Sequence, residues 1–307
     1  MQASKKILFF GNERLATGVK TNTPIIKALV SNGYDVMAVV TTSSHINPSR
    51  KLRESEIESF ASYSGIPLLQ FERLNSAIDQ LKKFGAIVGV LASFGKMVPD
   101  EVIKLFPFGI INIHPSLLPL HRGPTPIEST ILAGEKKTGV SLMKLVSEMD
   151  AGPLYDQVEI QLQGDESKQQ LADRLGELGA KRLVSVLPQI FSGKHKPLAQ
   201  TGPVSYDKRL ESTSGALDLN LPAINLERAI RAYYGWPRSR TVIKGQPVII
   251  TKAHVLAADD INDPGELKVL NGSLELTTVK DNLVIDRLIP AGSKEMSSQD
   301  YLRGRKI

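Results

Sequence analysis

The sequence predicts an α/β chain: a doubly wound, mostly parallel sheet with helices on both faces, followed by a small unit of short strands. Three observations carry this. Short apolar runs alternate with amphipathic stretches from residue 6 to residue 191. A Gly/Pro-rich polar stretch, residues 192–203, then interrupts the alternation. Beyond it come short runs separated by turn signals. Strand–helix alternation is what a parallel sheet requires, because each crossover must carry the chain back over a covered face.

Taken in order, residues 6–10 form an apolar run ending at Gly11, as a buried parallel strand does. Residues 22–31 read as a helix with Ile25, Ile26, Leu29 and Val30 on one face, stopped by Asn32 and Gly33. A strand at 36–40, an amphipathic helix at 57–63 and a helix at 77–84 follow, then the apolar run 86–91. Residues 100–106 are short and helical, 109–114 form a strand ending in polar residues, and 126–133 are helical. Strands are expected at 140–146 and 154–162. A long helix, 167–191, turns Leu171, Leu175, Leu178, Leu183, Val186 and Leu187 inward. Past the polar stretch, 221–234 suggest a helix. Strands at 241–243, 248–250, 274–279 and 283–289 are divided by Gly245-Gln246, Gly265, Asn271-Gly272 and Asp281-Asn282, which suggests a small barrel or meander. No internal repeat or low-complexity tract is visible.

The chain has 307 residues, enough for two domains, and its 41% hydrophobic and 23% charged residues suit a globular chain rather than a disordered one. No stretch reaches the roughly 20 apolar residues of a membrane helix, and the start MQASKKILFF has no signal-peptide layout, so a cytoplasmic protein without a membrane partner is expected. The absence of cysteine excludes disulfides, a thiol nucleophile, an iron–sulfur cluster and a cysteine-built zinc site. His45, His114, His121, His195 and His254 are scattered without an HExxH pattern, so no metal centre is expected. A net charge of +6 is a mild pull toward polyanions. The turn Gly11-Asn12-Glu13-Arg14-Leu15 lacks GxGxxG, which argues against dinucleotide binding.

The densest candidate site runs from Ile111 to Pro119. On a strand, Asn112 and His114 point to one side, and Pro115 holds His114 extended. An amide and an imidazole projecting together near a strand's carboxyl end suit acyl transfer, where they meet a carbonyl oxygen that becomes negative. The alternative is a polar pair that caps the strand. Asp150, in the loop Glu148-Met149-Asp150-Ala151-Gly152-Pro153, either orients the imidazole and relays a proton or forms a plain Asx turn. No GxSxG elbow is present, and Ser116 does not sit in one. The crossing Ala92-Ser93-Phe94-Gly95-Lys96-Met97-Val98-Pro99 is either an ordinary strand-to-helix loop or one that offers free main-chain groups to a flat heteroaromatic ring.

Asn112, His114 and Ser116-Leu117-Leu118-Pro119, followed by Arg122-Gly123 and Met149-Asp150-Ala151-Gly152, resemble the 10-formyltetrahydrofolate-dependent formyltransferases. Tyr206-Asp207-Lys208-Arg209-Leu210, residues 226–233, Trp236-Pro237, Gly245-Gln246-Pro247 and residues 290–296 are similar to the branch of that family that acts on methionyl-tRNA. The resemblance spans residues 6–303.

It implies a Rossmann-like catalytic domain at 1–191, a linker at 192–205 and an OB-like β-barrel tRNA-binding domain at 206–307. It also implies 10-formyltetrahydrofolate as co-substrate, initiator methionyl-tRNA as partner, a monomer, and no metal or redox cofactor. Asn112 and His114 would bind the formyl oxygen, while Asp150 would hold His114 and help to remove the amine proton. The pterin would lie against Phe94, Gly95, Lys96, Met97 and Val98, with Ser116, Leu117, Leu118, Pro119, Met149 and Gly152 lining the same cleft. Lys208, Arg209, Arg238, Arg240 and Lys244 would meet tRNA phosphates.

Two stretches depart from the family pattern. The loop at 43–53 keeps Arg50, Lys51 and Arg53 as candidates for the acceptor end but lacks the usual glycines. Arg122-Gly-Pro-Thr-Pro126 replaces the usual Arg-Gly-Ala-Ala-Pro. The nearest rival is an amino-sugar N-formyltransferase using the same donor. A formyl-folate hydrolase and a non-catalytic RNA- or folate-binding module are the others.

Overall fold

The computed structural model describes residues 5–42, 55–258, 263–270 and 272–303. The first part contains, in chain order, β1 (Lys6–Gly11), α1 (Pro24–Ser31), β2 (Asp35–Thr42), α2 (Glu56–Tyr63), β3 (Leu68–Phe71), α3 (Ile78–Lys82), β4 (Val88–Ala92), α4 (Asp100–Ile103) and β5 (Ile110–His114). It continues with α5 (Pro126–Ala133), β6 (Lys137–Lys144), β7 (Leu154–Gln161) and α6 (Lys168–Phe191). The sheet order is β3-β2-β1-β4-β5-β6-β7. The first five of these strands are parallel, and β6 and β7 extend the sheet antiparallel.

Winding reverses between β1 and β4, and in such sheets the crevice beyond the strands' carboxyl ends is where ligands bind. Those two ends approach so closely that a β-carbon on Gly11 would lie 1.8 Å from the Ala92 carbonyl oxygen. The β1 run is apolar throughout because both its faces are covered. Ile7 and Phe9 pack with α1, α2 and α6, while Leu8 and Phe10 pack with α3 and α4.

The long helix begins one residue later than expected. Ser167 is its cap, accepting from the Gln170 amide while Gln170 caps back. Of its six expected inward leucines and valines, Leu178 alone is only half-buried. Gly176 and Gly179 take the closest contact instead, and a β-carbon on Gly179 would meet Ile113 at 2.7 Å. The helix therefore packs against β5 and β6. The strand expected at 140–146 starts earlier, at Lys137, and the helix expected at 77–84 is a 3₁₀ turn at Leu74–Ala77 running into α3.

The second part comprises α7 (Ala223–Ala232), β8 (Ser239–Ile243), β9 (Gln246–Leu256), β10 (Leu267–Leu270), β11 (Ser273–Thr277), β12 (Asn282–Pro290), β13 (Met296–Ser297) and α8 (Ser298–Arg303). Its strands form a separate antiparallel sheet, β10-β11-β12-β9-β8 with β13 on β12, consistent with a small barrel. Leu226, Ile230, Val248, Ile250, Leu274, Leu283, Ile285 and Leu288 fill its core. The β8–β9 turn is Lys244-Gly245 rather than Gly245-Gln246. Both residues have positive φ, and Gln246 already pairs with Ile243. Among the described residues no helix is long and apolar enough to cross a membrane.

Glu13, in the loop after β1, is fully buried. Its Oε1 accepts from the Ile26 amide at 2.7 Å, and its Oε2 has no hydrogen-bond partner. Burial pushes its carboxyl from the usual 4.5 up to about 8, against the opposing pull of the Ile26 hydrogen bond and the Lys27 charge. The folded chain thus holds a proton that the unfolded chain has lost. This stability is fully present below pH 4.5 and declines as the pH rises to about 8. Glu13→Gln keeps the acceptor without the titration. It is expected to match the parent near pH 4.5 and exceed it by about 2–4 kcal/mol at pH 8, read from urea midpoints. Identical pH slopes in the two proteins would contradict this.

Candidate active site

β5 lies between β4 and β6, with Asn112 beside Leu91 and Met143 and His114 beside Ser141. The two-residue period sends both polar side chains to one side, where both are buried. The loop from β6 to β7 brings Asp150 to them. That loop folds back tightly: the Lys144 amide donates to Pro153, and a β-carbon on Gly152 would strike the Lys144 carbonyl oxygen at 1.8 Å. Asp150 itself has φ +48°, a conformation that Asp and Asn adopt more readily than other side chains.

The three expected groups converge. Asn112 Nδ2 donates to Asp150 Oδ1 at 3.3 Å, and His114 Nδ1 stands 3.8 Å from the same oxygen. The Gly123 amide donates to Asp150 Oδ2 at 2.8 Å. On the far side of the ring, His114 Nε2 donates to the His121 carbonyl at 2.8 Å. A carbonyl only accepts, so Nε2 carries a hydrogen and Nδ1 is the nitrogen turned toward Asp150. One amide hydrogen of Asn112 remains for another acceptor.

Around this centre, Phe94 and Val98 turn into the core, Phe94 edge-on to Phe10 at 5.8 Å. Gly95, Lys96 and Met97 face outward, Met97 being 60% exposed, and no described hydrogen bond engages the main chain from Gly95 to Met97. Free main-chain donors and acceptors beside an exposed apolar side chain suit a flat, polar-edged heterocycle. Met149 is also exposed. Leu118 and Pro119 are buried and Leu117 is half-buried. Ser116 is committed to the turn: its Oγ donates to Leu120 O, and its carbonyl accepts from Ser141 Oγ, both at 2.7 Å.

Lys208, Arg209, Arg238, Arg240 and Lys244 are all exposed. Arg238 and Arg240 also donate to main-chain carbonyls of Gly235 and Ser212. Arg50, Lys51 and Arg53 lie outside the described residues.

Gln200 and Ser205 help to build the site and carry no sequence signal. Gln200 donates to the carbonyls of Asp150 and Gly152, both at 2.8 Å, and its Oε1 accepts from Arg122 Nη2 at 2.9 Å. Arg122 also reaches Tyr206 OH at 2.8 Å. Ser205 Oγ accepts from the His121 amide at 2.8 Å, and the Asp207 amide donates to Arg122 O at 2.7 Å. The polar stretch after α6 is thus laid across the catalytic loops. The contacts that Gln200 and Ser205 make with those loops lie 48 or more positions away in sequence, beyond the reach of any local pattern.

Comparison with known proteins adds the following. The family "Formyl transferase" matches residues 5–187, and "Formyl transferase, C-terminal domain" matches residues 209–306. The chain is 37% identical over 305 residues to a methionyl-tRNA formyltransferase of Chloroflexus aurantiacus, covering 97% of this chain and 96% of that protein. Among solved structures it is similar in fold to HypX from Aquifex aeolicus in complex with tetrahydrofolic acid. The TM-score is 0.67 at 17% identity, over 96% of this chain and 46% of that longer one. It is likewise similar to an N-formyltransferase from Helicobacter canadensis in complex with folinic acid and dTDP-3-aminofucose. There the TM-score is 0.65 at 16% identity, over 91% of this chain and 97% of that one.

Proposed function

Because the chain belongs to the methionyl-tRNA formyltransferase family of one-carbon transferases, we propose that it moves the formyl group of 10-formyltetrahydrofolate directly to the α-amino group of methionine esterified to initiator tRNA. The observation that carries this reading is the meeting of Asn112, His114 and Asp150 at the carboxyl end of β5. The α-amine attacks the formyl carbon, a C–N bond forms, and the carbonyl oxygen takes up negative charge. The free amide hydrogen of Asn112 and the protonated Nδ1 of His114 meet that oxygen. Such donors are typically worth about 3–4 kcal/mol each. With Asp150 helping through water, the proton that the amine sheds passes to Nδ1 of His114, and Asp150 stabilises the imidazolium so formed. The bond to the folate N10 then breaks, and N10 takes a proton in its place. The aminoacyl ester's amine is nucleophilic enough to need no covalent enzyme intermediate, so the protein supplies position and charge.

In this reading residues 1–191 carry the chemistry, and residues 206–307 hold the acceptor arm through Lys208, Arg209, Arg238, Arg240 and Lys244. The main chain of Gly95 to Met97 meets the pterin edge. Incubation with 10-formyltetrahydrofolate and charged initiator tRNA, followed by mass spectrometry of the released methionine, is expected to show the gain of one formyl group. Formylation of a nucleotide-linked amino sugar in place of the tRNA, or formate release without any acceptor, would overturn it.

A further inference from the structure

We propose that His121 is a positioning residue for this reaction: held between the carboxylates of Asp207 and Glu135, it fixes the main-chain carbonyl that selects which nitrogen of His114 faces the reacting centre. The inference rests on the formyl-transfer reading for its kinetic consequence, though not for its geometry. His121 Nδ1 lies 3.1 and 3.2 Å from the two Asp207 carboxylate oxygens, and Nε2 lies 2.8 Å from Glu135 Oε1. Two carboxylates, one on each nitrogen, require a ring protonated at both. Burial opposes that charge, but the two hydrogen bonds outweigh it and raise the imidazolium's pKa to about 9.

The residue's backbone has φ +58°, a conformation that a β-carbon disfavours and that the two anchors hold in place. In that conformation its carbonyl accepts from His114 Nε2 at 2.8 Å. Asp207 comes from the strap that also meets Arg122 and the His121 amide, and Glu135 comes from the turn just beyond α5. The clamp therefore joins three separate segments behind the catalytic imidazole. If it were released, Nδ1 of His114 would be free to carry the hydrogen in the neutral ring. Nδ1, which faces Asp150, would then already be protonated and unable to take up the amine's proton, a change that is costly for an acid–base histidine.

The charged and titratable groups that face His121 are Asp207 and Glu135 on its nitrogens, His114 on its carbonyl, and Lys136 and Lys137. The two lysines line, with Leu117, Leu120 and Thr138, a cavity of about 370 Å³ beside it.

The test uses the full chain, labelled with ¹⁵N in its histidines, and the variants His121→Asn and Asp207→Asn. Asn tolerates the left-handed backbone but is too short to bridge both carboxylates. Long-range ¹H–¹⁵N spectra at neutral pH are expected to show His114 as the single Nε2–H tautomer and His121 doubly protonated in the parent. In His121→Asn, His114 is expected to become a tautomer mixture, with kcat lowered about 10-fold and both KM values nearly unchanged. In Asp207→Asn the alkaline fall in kcat is expected to move to lower pH. A single, unchanged His114 tautomer in His121→Asn would overturn the proposal, as would a loss expressed in KM alone. A parent protein with the expected tautomers that failed to formylate methionyl-tRNA would instead overturn the functional reading and leave the clamp standing.

Discussion

Asp150→Asn is expected to lower kcat about 10³-fold while the dissociation constant for the folate substrate stays within about three-fold. The size of the effect follows from what one carboxylate holds. Its Oδ1 lies 3.3 Å from Asn112 Nδ2 and 3.8 Å from His114 Nδ1, and its Oδ2 accepts from the Gly123 amide at 2.8 Å. An asparagine keeps the left-handed backbone at φ +48° and keeps an oxygen for Gly123, so the loop stays in place. What it loses is the charge that stabilises an imidazolium during the attack, which matters in the transition state and not in folate binding. His114→Ala is expected to follow the same pattern, because it removes the group on which that charge acts. Steady-state kinetics with charged initiator tRNA, paired with folate binding by fluorescence or calorimetry, separates the two quantities. An equal loss in turnover and affinity would assign Asp150 and His114 to binding instead of chemistry.

How far the sequence could be read depended on the range of each interaction. β1 was legible because burial on both faces makes four successive residues, Ile7 to Phe10, apolar. Asn112 and His114 were legible because a two-residue period fixes their common side and Pro115 fixes the backbone of His114. β3 was not, since it is a four-residue edge strand whose side chains are half-exposed or exposed, so no face needs an apolar run. Nor was the length of β9, where Lys252 and His254 stand on the open side and break an alternation that runs on to Leu256. The scaffold of the site was the least legible. Gln200 reads locally as part of a flexible polar stretch, and its partners Arg122, Asp150 and Gly152 are 48 to 78 residues distant. His121 looked like one scattered histidine because both of its carboxylates come from other segments.

Lys168→Met is expected to destabilise the chain by about 3–5 kcal/mol and lower its thermal midpoint by about 10 °C. Lys168 opens α6 and would pass in sequence for a solvated first-turn residue, yet its side chain is fully buried. Its Nζ donates to Thr17 O at 2.6 Å and Trp236 O at 2.8 Å and lies 3.5 Å from Glu128 Oε1, which also accepts from the Thr17 amide. One ammonium thus joins the loop after β1, α5 and the segment after α7. The main chains there are packed so closely that a β-carbon on Gly18 would lie 2.6 Å from the Trp236 nitrogen and one on Gly235 would lie 2.2 Å from Gly18 O. Burial pushes the lysine's pKa down and the Glu128 carboxyl's up, so each charge persists only through the other and through the carbonyls around it. Methionine fills similar volume but leaves Glu128 buried without its counter-charge, and Oε2 of that residue already has no hydrogen-bond partner. The double variant Lys168→Met/Glu128→Leu leaves no charge behind and is expected to regain more than half of the loss, a non-additivity that unfolding curves of the four proteins would read directly. If the single and double variants were equally destabilised, the cost would belong to the two carbonyls that lose their donor, and the ion pair would contribute nothing to the joint between the two parts of the chain.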